Sequence, residues 1–383
     1  MIKVKRLVLN TVLVCSSLLA SAQTGTGTEG KLKDSTKIAS KPKDSTKTDG
    51  KLTISGYAEI YYGYDFNRPA NNNRPSFVYS HNRHNEVNLN IGFIKANYQS
   101  DQIRANLALM AGTYANANLA AEPGVLKNIF EANAGVKVSK TTDLWVDAGI
   151  FSSHIGFESA TSKDDWVLTR NILSDNTPYY ESGVKLTYIT KNGKLLLSGL
   201  YLNGWQRINR EVNNSKPAGG LQVLWKPTDK ITLNYSNYLG TEGADSVSVR
   251  RFYNDFYGIF QVTSAFGIIA GLDYGIQQQV KGGKNYYQVF LPVVIGRYQF
   301  TDKWAAAGRI EYYQDKNNVF IALGAPNGFV TSGYSANVDY RPMSSAIIRI
   351  EGKLYNSQDA VFTRIGKPVK TSPVITASFA VSF

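Results

Sequence analysis

The chain is poor in the residues on which most metal proteins and soluble catalysts depend. It has one cysteine, Cys15, and three histidines, His81, His84 and His154; methionine also numbers only three. Cys15 falls in an N-terminal segment that reads as an export signal. Lys3, Lys5 and Arg6 form its positive region, Leu7 to Leu19 is mostly apolar, and Ala20-Ser21-Ala22 is a small-residue cleavage site before Gln23. The apolar run is too short for an anchor and holds Asn10 and Thr11, and Val14 fits poorly before a lipidated cysteine. Cleavage after Ala22 leaves a mature chain without a thiol, which excludes disulfides, thiolate metal sites and a cysteine nucleophile.

Long hydrophobic runs are missing too. Nothing after the N-terminus approaches the roughly 20 apolar residues of a membrane helix. The mean hydropathy of −0.24 would suit a soluble protein. A closed barrel reaches the same average, because its apolar residues alternate with polar ones and every backbone group pairs with a neighbouring strand. Tyrosine is abundant, at 24 residues, as suits an aromatic-rich sheet. A basic stripe is absent as well. Of the net +13, six charges lie in the first 51 residues, and the remaining +7 is spread among acids. A nucleic-acid partner has no support in that pattern.

Residues 23–51 read as a disordered periplasmic tether rich in Lys, Ser and Thr. Lys31-Leu32-Lys33-Asp34-Ser35-Thr36-Lys37 recurs as Lys41-Pro42-Lys43-Asp44-Ser45-Thr46-Lys47, with too few apolar side chains to offset the entropy of ordering. From Leu52 to the end the period becomes two. Val87, Leu89, Ile91 and Phe93 alternate with Glu86, Asn88, Asn90 and Gly92, and similar runs give sixteen candidate strands. Parity breaks near Ile94-Lys95 and Ile295-Gly296-Arg297, where bulges are expected. Short connections alternate with long polar ones, the pattern of short periplasmic turns and long external loops. The last run, Ile375 to Phe383, alternates strictly and ends on an aromatic, as the signal read by the barrel-assembly machinery does. The expected fold is therefore an all-β, antiparallel, up-and-down transmembrane barrel of about 16 strands in the outer membrane.

In such a barrel the apolar set faces lipid and the polar set faces the lumen. The lumen would receive Glu59, Arg104, Glu131, Lys137, Asp147, Lys185, Asp255, Asp273, Arg309, Glu311, Asp339, Arg349, Glu351 and Lys353. Charges of both signs suit either a wet channel or a wall braced by ion pairs. The longest loop, 153–180, carries Glu158, Asp164 and Asp165. Folded inward, it would constrict the pore and set those acids against wall bases such as Arg104, Lys137 and Lys185. The function expected is a porin that passes small hydrophilic solutes and ions by diffusion, with a mild anion preference.

Other readings are weaker. A substrate-specific channel would use stacked lumen aromatics, with Tyr57, Tyr61, Tyr253 and Tyr257 as candidates for a sugar track. An adhesin would show apolar patches on loops that are instead rich in Asn, Gly, Ser and charge. A Ser-His pair at Ser152, Ser153 and His154 lacks an assignable orienting acid, and His81, His84 and Glu86 make a thin metal set. The chain is expected not to be an enzyme and to need no cofactor or metal.

Gly149-Ile150-Phe151-Ser152-Ser153-His154-Ile155-Gly156-Phe157-Glu158 resembles the Gly-x-Phe-x-Ser-Pro-x-Gly-x-Glu run of the OmpL-like β-barrel porins. Thr169-Arg170-Asn171 stands where that family has Ser-Arg-Ser, and Pro178 and Gly183 to Tyr188 come after it in similar order. The resemblance implies an outer-membrane barrel with porin activity from about residue 52 to the end. His154 replaces the family's proline, so the family's loop geometry is not carried over. The partners expected are outer-membrane lipid, small solutes and ions, the assembly machinery through Phe383 and, as an option left open, further copies of the chain.

Overall fold

A computed structural model describes residues 50–383; the export signal and nearly all of the tether lie outside the described residues. The strands run in order as β1 (Lys51–Asp65), β2 (Val87–Gln99), β3 (Ile103–Ala111), β4 (Ile129–Lys137), β5 (Asp143–Ser152), β6 (Tyr180–Ile189), β7 (Leu195–Leu202) and β8 (Ala218–Thr228). The second half holds β9 (Ile231–Glu242), β10 (Val249–Gln261), β11 (Phe266–Gln278), β12 (Tyr286–Gln299), β13 (Trp304–Asp315), β14 (Phe329–Met343), β15 (Ala346–Ser357) and β18 (Thr371–Ser382). A small hairpin, β16 (Phe362–Arg364) and β17 (Lys367–Val369), decorates the last long loop.

Each barrel strand pairs antiparallel with its neighbours in sequence, and β18 pairs with β1 to close the wall. The result is the sixteen-stranded up-and-down barrel that the alternation predicts. Closure leaves no strand edge, so the wall can sit in hydrocarbon with every ladder hydrogen bond internal. Gly56 and Phe383 seal the seam by exchanging backbone hydrogen bonds of 2.9 and 3.1 Å. The lipid side carries exposed Leu52, Ile94, Leu107, Val294, Ile310 and Ile350. Exposed aromatics flank it: Tyr98, Tyr298 and Trp304 near the short turns, and Tyr62, Tyr201, Tyr274 and Tyr334 toward the long loops. Two such girdles mark the membrane interfaces.

The first parity break comes from a bulge, as expected, but set at Asn90 and not at Ile94-Lys95, and the second has another cause. On β2 the register shifts at Asn90, where Glu59 pairs with Ile91 but Ile60 pairs with Leu89. The bulged Asn90 turns inward and donates to Glu59 Oε2 at 2.9 Å. Val87 stays outside, whereas Ile91 is buried and Phe93 packs on Tyr57 and Phe130. Ile91 and Phe93 therefore do not face lipid as the alternation suggested, and Lys95 points inward. On β12 there is no bulge, since its pairing with β11 is continuous. Its inner face is itself apolar, with Val289, Leu291, Val293 and Ile295 all buried. Something inside the barrel must cover it.

Candidate functional site

That cover is the connection between β5 and β6, residues 153–179. Its ends meet, with Ser153 N donating to Tyr179 O at 3.0 Å, so the segment leaves and re-enters the wall at one place. Inside β5, shortly before the chain leaves the wall, Gly149 has φ 124° and a Cβ there would lie 2.2 Å from Ala132 O, so the position requires glycine. The segment then crosses the lumen instead of rising over the rim. His154 Nδ1 lies 2.9 Å from Glu181 Oε2 on β6, and Nε2 lies 2.8 Å from Asn237 O on β9. Both partners are acceptors, so both ring nitrogens carry hydrogen and the ring is an imidazolium. Burial alone would depress its pKa. The Glu181 carboxylate and the Asn237 carbonyl outweigh burial and hold it above the ordinary histidine value.

Beyond His154 the wall supplies partners to the loop backbone, which has no ladder of its own. Gly156 N donates to Asp255 on β10 at 3.2 Å. Ser162 Oγ donates to Glu59 on β1. Arg349 on β15, held by Asp339 of β14 at 2.8 and 3.1 Å, donates to the carbonyls of Ser162 and Asp165. Thr169 N and Oγ1 donate to Glu351, Ile172 N donates to Glu311 at 2.6 Å, and Lys353 Nζ donates to Arg170 O at 2.8 Å. Arg309 on β13 reaches Glu158 at 3.4 Å, Thr169 O at 2.6 Å and Glu351 at 3.1 Å.

The apolar side of the loop settles on the apolar inner face of the barrel. Trp166, Val167 and Phe157 pack with Ile269, Val293, Ile295 and Ala307. A short helix, Ile172–Asp175, is capped by Asn171, whose side chain accepts from Ser174 N at 2.7 Å. It sets Ile172 and Leu173 into a cluster with Val289, Leu291, Tyr253 and Tyr313.

The loop therefore leans on β9–β15 and β1, and nine of the expected residues meet along that seam: Glu158, Glu59, Asp255, Arg309, Glu311, Asp339, Arg349, Glu351 and Lys353. Arg104, Lys137 and Lys185 stand on the opposite wall, and the loop acids do not reach them. Arg104 grips Asp147 bidentately, with Nε at 2.6 Å. Lys137 pairs with Asp143 at 3.1 Å, and Lys185 Nζ sits 4.5 Å over the Phe151 ring. Asp165 pairs within its own loop, 3.0 Å from Arg170, and Asp164 is exposed.

The wall that the loop leaves uncovered is wet. The inward side chains of Lys95, Arg104 and Lys137 are 26%, 24% and 18% exposed, whereas those of Arg309 and Arg349 on the covered wall are fully buried. Between the bases runs an amide ladder, Asn97 to Asn106 at 2.7 Å and Asn106 to Asn133 at 3.0 Å. Lys95 pairs with Glu131 at 2.6 Å. Gly135 keeps the Arg104–Asp147 bridge open, since a Cβ there would sit 2.1 Å from Asp147 Oδ1. Sequence reasoning missed Lys95 because the Asn90 bulge hid its parity. It also passed over the three asparagines, although they hold the polar parity on three successive strands.

Residues 51–383 match the family described as putative beta-barrel porin-2, OmpL-like. The chain belongs to this porin family. It is an outer-membrane barrel of the porin type, and solved porin structures share its fold. An anion-selective porin from Comamonas acidovorans is similar at TM-score 0.57 and 7% identity, covering 88% of this chain and 100% of that one. OmpT of Vibrio cholerae is similar at TM-score 0.56 and 12% identity, over 88% and 99%. The outer membrane channel DcaP of Acinetobacter baumannii is similar at TM-score 0.55 and 12% identity, over 88% and 99%. The sequence matches no curated protein.

Within this porin the candidate tyrosines and histidines take up structural positions. Tyr57, Tyr61, Tyr253 and Tyr257 are buried beneath loops and make no open aromatic track. His81 turns to Glu59 at 3.2 Å, His84 Nδ1 accepts from Asp65 N at 2.9 Å, and Glu86 pairs with Arg83, so the three do not converge. Both nitrogens of His154 are occupied, Ser152 Oγ donates to Glu131 at 3.0 Å, and Ser153 Oγ accepts from Ile155 N at 3.1 Å. Neither serine meets the ring.

Proposed function

We propose that this porin is a water-filled channel for diffusion of small hydrophilic solutes, mildly anion-preferring and narrowed by loop 153–180. The observation that carries the reading is the wet inner wall of β2–β6 facing away from the docked loop. Its bases are Lys95, Arg104, Lys137 and Lys185, and its acids are Glu131, Asp143 and Asp147; Glu181 of β6 is offset by the His154 imidazolium of the loop, which leaves one net positive charge. Near neutrality with a single excess base attracts small anions weakly and admits uncharged solutes. The test is the reversal potential across a salt gradient in a planar bilayer. The parent should favour anions slightly, and Lys95→Gln with Lys137→Gln should turn the preference to cations. A channel whose ion preference ignores both substitutions does not conduct along this wall.

We further propose that the export signal is cleaved after Ala22, that residues 23–51 tether the barrel in the periplasm, and that Phe383 addresses the chain to the assembly machinery. OmpT of Vibrio cholerae is described in a trimer form, and association of this chain with its own copies is proposed by that likeness; crosslinking of the purified protein in lipid tests it, and a monomer alone would reject it.

A further inference from the structure

We propose that Asp255 and Asp273 share one proton, and that this proton locks the root of loop 153–180 to the wall. The two residues are direct cross-strand partners on β10 and β11, and both are buried. Each carboxylate has one oxygen with donors and one without. Asp255 Oδ2 accepts from Asn234 Nδ2 at 3.0 Å and from Gly156 N at 3.2 Å. Asp273 Oδ2 accepts from the Tyr253 hydroxyl at 2.7 Å. The Oδ1 atoms of both residues lack a donor. No arginine or lysine stands among the groups acting most strongly on either carboxylate. Two adjacent carboxylates in a dry site, with only the His154 imidazolium nearby and that already paired with Glu181, cannot both ionise. One carboxyl hydrogen, donated from Oδ1 to Oδ1, satisfies both vacant oxygens together.

The surroundings set the consequence of losing that hydrogen. The loop presents His154 and the Gly156 amide; β10 presents Tyr253 and Tyr257; β13 presents Tyr313; Glu181 of β6 stands behind His154. From β9 come the neutral Asn234 and Ser236, and from β12 comes Leu291. Tyrosines stay neutral near physiological pH, so the groups able to change charge are the carboxyl pair, His154 and its partner Glu181. With the proton in place, the pair carries one negative charge beside the His154 imidazolium. As pH rises the proton passes to hydroxide in bulk water, and two negative charges face each other beside one cation. Lifting Gly156 away and admitting water relieves that repulsion. The effect on conduction rests on the channel reading above; the shared proton itself does not.

The experiment compares the folded protein in lipid vesicles with Asp273→Asn and Asp255→Asn, each of which replaces the shared hydrogen with an amide donor of nearly the same shape. Infrared spectra at neutral pH should show the C=O stretch of a protonated carboxyl group in the parent and in neither variant. The protection factors of residues 154–157, which set aside the intrinsic rise of amide exchange with pH, should fall on the order of tenfold more at alkaline pH in the parent than in either variant. A parent without the band, or a band that survives both substitutions, overturns the shared proton. A band that appears only after chelation of divalent cations also overturns it, by placing a metal ion between the carboxylates. Loop exchange indifferent to both substitutions overturns the lock. Both readouts are independent of conductance, so a barrel that fails to conduct would sink the channel reading and leave this one standing.

Discussion

Replacing Arg309 with methionine removes the cation on which three carboxylates of the loop–wall seam converge. Its side chain is fully buried and lies 3.4 Å from Glu158 of the loop, 3.1 Å from Glu351 and 3.6 Å from Glu311. It also donates to Thr169 O at 2.6 Å. Methionine fills similar space but leaves these acids without that charge, and breaking a buried pair from one side costs about 3–5 kcal/mol. The cost falls on the docked loop, because Arg309 keeps its backbone pairing with Ile295 and Ser335. At about 1.4 kcal/mol per tenfold, docking weakens by roughly two to four orders of magnitude. Single-channel recording should then show a larger, noisier conductance, while heat-modifiable electrophoretic mobility reports an intact barrel. Adding Glu158→Gln and Glu351→Gln should restore much of the parent behaviour by discharging two of the stranded acids. If the Arg309→Met barrel conducts and selects ions as the parent does, the seam does not hold a constriction and the reasoning fails.

The same geometry sets three further outcomes. The pKa of His154 lies above its unfolded value, so its contribution to loop docking is complete below about pH 6.5 and is lost as pH rises through the folded value; His154→Gln should remove that part of the pH dependence of protease sensitivity in residues 153–179, and an unchanged profile would reject it. Gly135→Leu should wedge the Arg104–Asp147 bridge apart and change the reversal potential without altering the mobility of the folded barrel; an unaltered potential would show that the bridge does not line the path. Phe383→Asp should lower the amount of folded barrel in cells by several-fold while the purified chain still refolds in detergent, and equal amounts in cells would reject the assembly role.

Much of the fold was legible because it is written locally. A strand turns its side chains to alternate faces at every residue, so Leu107 and Leu109 against Arg104 and Asn106 identify a wall with oil on one side and water on the other without knowledge of any distant residue. The alternation of short and long connections gave strand number and direction in the same way. The bulge at Asn90 was not legible, because the purpose of that residue, reaching Glu59 and fixing the first loop, depends on a partner 31 positions away in sequence.

The site divided along the same line. The sequence by itself determined the sixteen-strand wall, the inward set of charges and the loop that would come to matter, since each arises from spacing and composition within a few residues. Which wall the loop would choose was decided only in three dimensions. The inner face of β12 is apolar, Trp166, Val167 and Ile172 need cover, and Glu158 finds Arg309 across 151 positions. Those three facts become one only when the barrel closes, and they leave Lys95, Arg104 and Lys137 to face water on the other side.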